Sequence, residues 1–229
     1  VSTLVLEQVC VARGQFPIVV DVDLRVPGGE VTLVLGANGA GKTTLLEAIS
    51  GILPVKSGSI TLDGDPIHRA SRVRRARRGL AHVEQGRAVF SDLTVAENLL
   101  IATSDGNVEA AFETFPELAN RRGIRAGSLS GGEQQMLVLA RALLAKPSVL
   151  LVDELSLGLA PIIVRRLMPV VRALADSGMA VLMVEQYAAL ALEIGDSVSV
   201  LARGRVVFSG ACDELDSHGG VLHGAYLGV

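Results

Sequence analysis

The chain has 229 residues, 49% of them apolar, with a net charge of −3. That length suits one large domain with room for an insertion, and the apolar share supports a sizeable core. The charge balance argues against nucleic-acid binding through a globally basic surface, and the two separated cysteines, Cys10 and Cys212, argue against a zinc site or a disulfide framework and favour a reducing compartment.

Val31–Leu35 is a short apolar run ending at Gly36, the pattern of a buried strand entering a glycine loop. Lys42–Ser50 reads as a helix closed by Gly51 and Pro54. Residues 59–62 read as a strand followed by the turn Asp63-Gly64-Asp65-Pro66. Residues 69–78 hold six arginines (Arg69, Arg72, Arg74, Arg75, Arg77 and Arg78) and are expected to form a basic helix with solvated faces. Leu80–Val83 is a further strand. From about 86 to 146 the periodicity is helical, and Thr94 with Glu97 has the spacing of a capping box. Strands at 149–152 and 180–184 alternate with helices at 161–175 and 187–194, and a hairpin is expected from 197–202 and 205–209 around Gly204. This alternation predicts an α/β fold with a largely parallel sheet covered on both faces, and the helical block reads as an insertion.

Mean hydropathy is +0.45, yet the longest apolar runs stop well short of the ~18 residues of a spanning helix. The opening Val1-Ser2-Thr3-Leu4 lacks the order of a signal peptide, so a soluble chain is expected, with any membrane affinity coming from a partner.

Three motifs carry chemistry. Gly36-Ala37-Asn38-Gly39-Ala40-Gly41-Lys42-Thr43 fits the P-loop pattern, with Thr44 next in line. Its glycines let backbone N–H groups face phosphates, and the helix that follows adds its positive dipole end. Lys42 is positioned for the β and γ phosphates and Thr43 for Mg²⁺. The run at 149–152 ends in Asp153 and Glu154. Asp153 is expected to hold Mg²⁺ and Glu154 to orient and deprotonate the attacking water. Ser130-Gly131-Gly132-Glu133 opens an apolar-periodic helix, with Ser130 at the N-cap, and forms a second candidate anion site.

With Leu129 and Gln134, that last segment resembles the signature motif of the ABC ATPase family, and the P-loop upstream and Asp-Glu strand downstream extend the resemblance over nearly the whole chain. The resemblance implies a P-loop NTPase with a mainly parallel core sheet, an N-terminal antiparallel β subdomain and an inserted α-helical subdomain. On that reading 1–85 and 147–229 form the catalytic core and 86–146 the insertion, within a single domain. ATP and Mg²⁺ are the implied cofactors. Gln85 matches the family glutamine that contacts Mg²⁺ and faces the membrane subunits. The family pairs two cassettes head to tail, so Ser130, Gly131 and Gly132 are expected to close over ATP held by a second ABC ATPase subunit. The other implied partners are transmembrane permeases and, indirectly, a solute-binding protein; the implied place is the cytoplasmic face of the cell membrane. Segments 86–90, 93–99, 156–163 and 184–186 and the ending Ala225-Tyr226-Leu227-Gly228 resemble LivF-type ATPases of branched-chain amino-acid importers. Urea or amide importers and lipopolysaccharide-type exporters carry similar ATPases.

Four positions depart from the general family pattern. Gln186 stands at the usual H-loop histidine, where it hydrogen-bonds a γ-phosphate without a positive charge. Ala160 stands at the D-loop aspartate, and Leu155 replaces the proline after the catalytic glutamate. Both Gln186 and Ala160 occur in the LivF-type subfamily; together they favour a heterodimer, while a homodimer stays open. Arg13 aligns with the aromatic that stacks on adenine; a guanidinium stacks on a flat base, Phe16 is the other candidate, and a solvent-facing Arg13 is the third alternative.

Overall fold

The computed structural model describes residues 2–86, 88–103, 105–186 and 188–217. In chain order its elements are β1 (Thr3–Arg13), β2 (Phe16–Pro27), β3 (Val31–Leu35), α1 (Lys42–Ser50), β4 (Val55–Leu62), β5 (Asp65–Pro66), α2 (Arg72–Arg77) and β6 (Leu80–Val83). Then follow α3 (Val95–Leu100), α4 (Glu109–Thr114), α5 (Pro116–Ala119), α6 (Gly131–Leu144), β7 (Val149–Asp153), α7 (Pro161–Asp176), β8 (Ala180–Glu185), α8 (Ala188–Leu192), β9 (Ser197–Ala202), β10 (Arg205–Ala211) and α9 (Cys212–Ser217). Tyr187, Arg87 and the ending 225–228, all named in the sequence reading, lie outside the described residues. Among the described residues no helix is long and apolar enough to cross a membrane.

Two sheets form. One is antiparallel in the order β2-β1-β4-β5; the other runs β10-β9-β3-β8-β7-β6 and is parallel except for the β9–β10 hairpin. The short strands β3, β7 and β8 are buried along their whole length, which is why they read as unbroken apolar runs. Alternate residues serve opposite faces. Leu33, Leu35, Leu150, Val152, Val181 and Met183 join the core that also holds α6 and α7. Val34, Val149, Leu151, Leu182 and Val184 join the core built with α1 and the antiparallel sheet. The parallel sheet is thus the middle layer.

The largest changes in length fall on two expected elements. The strand expected at 59–62 starts at Val55, because pairing with β1 extends it through Lys56, Ser57 and Gly58, which carry no apolar signal. The basic helix contracts to Arg72–Arg77, with the Ser71 hydroxyl capping its N-terminus and Gly79, at φ 90°, ending it.

The expectation that all six arginines are solvated is corrected at Arg75, which is only 2% exposed. Its Nη1 donates to the carbonyls of Ala48 (2.6 Å) and Ile49 (2.7 Å) in the last turn of α1. Its Nε and Nη2 donate to Ala70 O and His68 O. A guanidinium suits a helix C-terminus, where carbonyls lack intrahelical donors and the dipole is negative. Gly51 makes room: a Cβ there would lie 2.9 Å from Arg75 Nε.

His82 on the edge strand β6 has both ring nitrogens buried without partners. Burial pushes its pKa down to about 4, the Glu84 charge opposing this and the Arg72 charge adding to it. The native ring is therefore neutral, while the unfolded chain takes up a proton from pH ~6.5 downward. The stability that depends on the neutral ring is complete above pH ~6.5 and is lost as pH falls through about 4, by up to about 3 kcal/mol. In urea titrations across that window, His82→Phe is expected to lose stability less steeply than wild type. Equal slopes would refute the assignment.

Candidate functional site

Because β3, β6, β7 and β8 run parallel, their C-terminal ends share one edge of the sheet. The P-loop leaves β3 there, Gln85 follows β6, Asp153 ends β7 with Glu154 next, and Gln186 follows β8. The strand β8 lies between β3 and β7, and the acidic end of β7 still meets the P-loop through Lys42, beside Glu154.

The loop turns tightly. Gly36 passes so near the β9–β10 hairpin that a Cβ on it would sit 2.3 Å from Leu201 O. Gly41 enters α1 at φ 108°, a conformation that excludes ordinary side chains. Lys42 is 4% exposed; its ammonium donates to Gly36 O (2.8 Å) and Ala37 O (3.2 Å) and stands 3.5 Å from Glu154 Oε1. Gln85 Nε2 donates to Glu154 Oε2 at 2.8 Å. A cation at the start of α1 and an amide and a carboxylate from two strand ends are thus brought into contact.

A cleft of about 490 Å³ opens over this cluster. Asn38, Gly39, Gly41, Lys42, Thr43 and Thr44 line one side. Gln85, Glu154, Gln186 and Arg13 also line it, together with Ile18 and Leu157, which the sequence did not single out. Gly36 and Ala37 take part through their carbonyls, and Ala40 is buried beneath the loop.

Asp153 is 1% exposed, and neither carboxylate oxygen has a hydrogen-bond partner. Burial pushes its pKa up to about 6; the nearby Thr43 hydroxyl opposes this and the Glu154 charge adds to it. A buried carboxylate left without donors beside a threonine hydroxyl is the donor set of a hard divalent cation.

Glu185, the last residue of β8, is 1% exposed. Its oxygens accept the Ser156 N–H (3.1 Å) and the Ser156 hydroxyl (2.6 Å). Burial raises its pKa; the Ser156 bonds oppose the shift, the Glu154 charge adds to it, and the Gln186 backbone N–H opposes it. The sequence reading missed this pair, whose members are 29 positions apart.

Ser130, Gly131 and Gly132 are not among the residues lining the cleft. They open α6 as expected: the Ser130 hydroxyl accepts Glu133 N–H, and Glu133 accepts Ser130 N–H at 2.8 Å. Arg13 lies against α1, its Nε donating to Thr44 Oγ1 at 3.2 Å and its guanidinium paired with Glu47. Phe16 is 75% exposed and is not among the residues lining the cleft. Ala160 is the N-cap of α7 and supplies no side-chain cap, so Pro161 alone starts that helix.

Comparison with known proteins matches this arrangement. Residues 19–156, more than half of the chain, match the family described as ABC transporter. The high-affinity branched-chain amino acid transport ATP-binding protein BraG of Pseudomonas aeruginosa is 42% identical over 89% of this chain and 91% of its own. The probable branched-chain amino acid transport ATP-binding protein LivF of Archaeoglobus fulgidus is 40% identical over 88% of this chain and 89% of its own. The solved ADP conformation of MJ1267, an ATP-binding cassette of an ABC transporter, aligns over 100% of both chains with a TM-score of 0.90 and 25% identity. With its P-loop, acidic strand end and signature helix in the arrangement described, the chain belongs to the ABC transporter family as an ATP-binding, ATP-hydrolysing subunit.

Proposed function

We propose that this ATPase drives an importer of branched-chain or other hydrophobic amino acids from the cytoplasmic face of the membrane. The contact of the buried Lys42 and Glu154 with Gln85 carries the catalytic part of this reading. The likeness to BraG and LivF carries the cargo.

In the proposed mechanism the P-loop N–H groups and Lys42 hold the β and γ phosphates. Lys42 then exchanges the Gly36 and Ala37 carbonyls for phosphate oxygens. Thr43, Asp153 and Gln85 are the residues that would hold Mg²⁺, which supplies charge neutralisation for the phosphates. Glu154 accepts a proton from the attacking water, whose oxygen bonds to the γ-phosphorus as the bond to the ADP oxygen breaks. Gln186 hydrogen-bonds the γ-phosphate, and Arg13 contacts the base. Ser130, Gly131 and Gly132 act on the nucleotide of a neighbouring cassette, and 86–146 is the helical unit that carries them there. Ala160 and Gln186 support a heterodimer. Permease subunits dock near Gln85, a solute-binding protein delivers cargo, and no nucleic acid takes part.

Reconstituted with its co-purifying permeases, the wild-type complex is expected to accumulate labelled leucine when ATP is added. Lys42→Ala removes a charge-assisted phosphate bond worth ~1.5–3 kcal/mol, so ATP affinity is expected to fall about 10- to 150-fold and uptake to stop. Undiminished ATP affinity would contradict the P-loop assignment; absence of leucine uptake by the wild-type complex would contradict the cargo.

A further inference from the structure

We infer that Glu185 is a positioning residue for ATP hydrolysis: its carboxylate rivets the loop that carries Glu154 to the end of β8. The inference rests on the reading of Glu154 as the base.

Glu154 sits at φ 48°, in the left-handed region. For a residue with a side chain that backbone is strained and persists only where its surroundings over-determine it. A proline at position 155 would fix its own φ and narrow the conformations open to residue 154. Here position 155 is leucine, 1% exposed, and within the loop Leu157 N–H donates to Glu154 O at 3.1 Å; the end of β8 adds restraint from outside.

Two links to the end of β8 supply it. Glu154 N–H donates to Val184 O at 2.9 Å. Two residues on, both donors of Ser156 end on the two oxygens of Glu185. The loop is therefore tied at position 154 and again at position 156 to adjacent residues of one fully buried strand. Glu185 also precedes Gln186, which lines the cleft, so one side chain ties together the two loops that face the nucleotide.

The chemistry of Glu185 supports a role beyond packing. Among the described residues no ion pair is formed by it, and a buried carboxylate is unfavourable unless its acceptors are used. An apolar residue there would fill the space but leave the Ser156 N–H and hydroxyl without acceptors. What Glu185 adds over leucine is a two-point grip on Ser156.

The test measures steady-state ATP turnover and amide hydrogen exchange on the full chain, with its co-purifying subunits where turnover requires them. Glu185→Ala is expected to lower kcat between about tenfold and a hundredfold, the effect of a misplacement near 1 Å, with KM for ATP within about twofold of wild type. Exchange is expected to rise in residues 154–159 and to stay unchanged in β3 and α6. Glu185→Gln is expected to restore both, because its amide oxygen accepts the Ser156 N–H and its amide nitrogen donates to the Ser156 oxygen. Ser156→Ala, a milder change, is expected to reproduce part of the exchange increase. Wild-type kcat and exchange in Glu185→Ala would overturn the inference. So would faster exchange throughout the sheet, or a failure of Glu185→Gln to rescue. Glu154→Gln is run alongside: if it keeps full turnover, the reading of the base fails, while the exchange results still decide the rivet.

Discussion

Glu154→Gln is expected to lower ATP turnover by about 10² to 10⁴ while nucleotide binding stays within a few-fold of wild type. Glutamine preserves the shape and leaves an oxygen to accept from Gln85 Nε2, so the cluster keeps its outline. Among the described residues it removes the one carboxylate that lines the cleft beside the phosphate loop. Lys42 loses an ion-pair partner at 3.5 Å but keeps the Gly36 and Ala37 carbonyls, so the P-loop stays formed. Removing the Glu154 charge also relieves one of the influences that raise the Asp153 pKa, so the Asp153 carboxylate is no harder to ionise in the variant. The expected product is a chain that binds ATP and accumulates in the bound state. Phosphate release and the ratio of bound ATP to ADP measure this directly. Turnover at the wild-type rate would remove Glu154 from the chemistry.

Arg75→Met is expected to destabilise the chain by about 3–5 kcal/mol in urea unfolding, the range for breaking a buried charged network. Methionine replaces much of the stem but leaves four carbonyls without their donor. Two of them end α1, the helix that begins with Lys42, so loosening this end also loosens the P-loop. Lysine is a poor substitute, because its single ammonium cannot reproduce a planar fork spread over four acceptors. The control is Arg77→Met on the exposed side of the same helix, expected to change stability by no more than about 0.5 kcal/mol. Similar values for the two variants would refute the clamp.

The contrast between those two arginines shows what the sequence carried. The strand, loop and helix from Val31 to Ser50 were legible because each is specified locally, by an unbroken apolar run, by glycines at a tight turn and by a helical stretch ending in Gly51. The capping boxes at Thr94 and Ser130 were legible for the same reason, since both partners lie within one turn. The long N-terminal strands had no such signal. Gln8 and Asp21 adopt positive φ and the pairing shifts register nearby, so the two-residue alternation breaks inside β1 and β2. Arg75 and Glu185 were hidden for a different reason. The α1 carbonyls that Arg75 reaches are 26–27 positions away and the Ser156 donors of Glu185 are 29 away, and composition alone does not distinguish an inward-facing charge from a solvated one. The position of Ser130 away from the cleft is equally non-local, and it is the feature that makes a second cassette necessary to the proposed reaction.

Purification of the complex through a tagged Glu154→Gln chain in ATP and Mg²⁺, with its composition read by native mass spectrometry, addresses that reaction most directly. The expected assembly contains this chain paired with a second, different ABC ATPase on permease subunits, and ATP tightens the pairing. A stable ATP-dependent pair of two copies of this chain would contradict the heteromeric arrangement, and an assembly indifferent to ATP would contradict a nucleotide site shared between two cassettes.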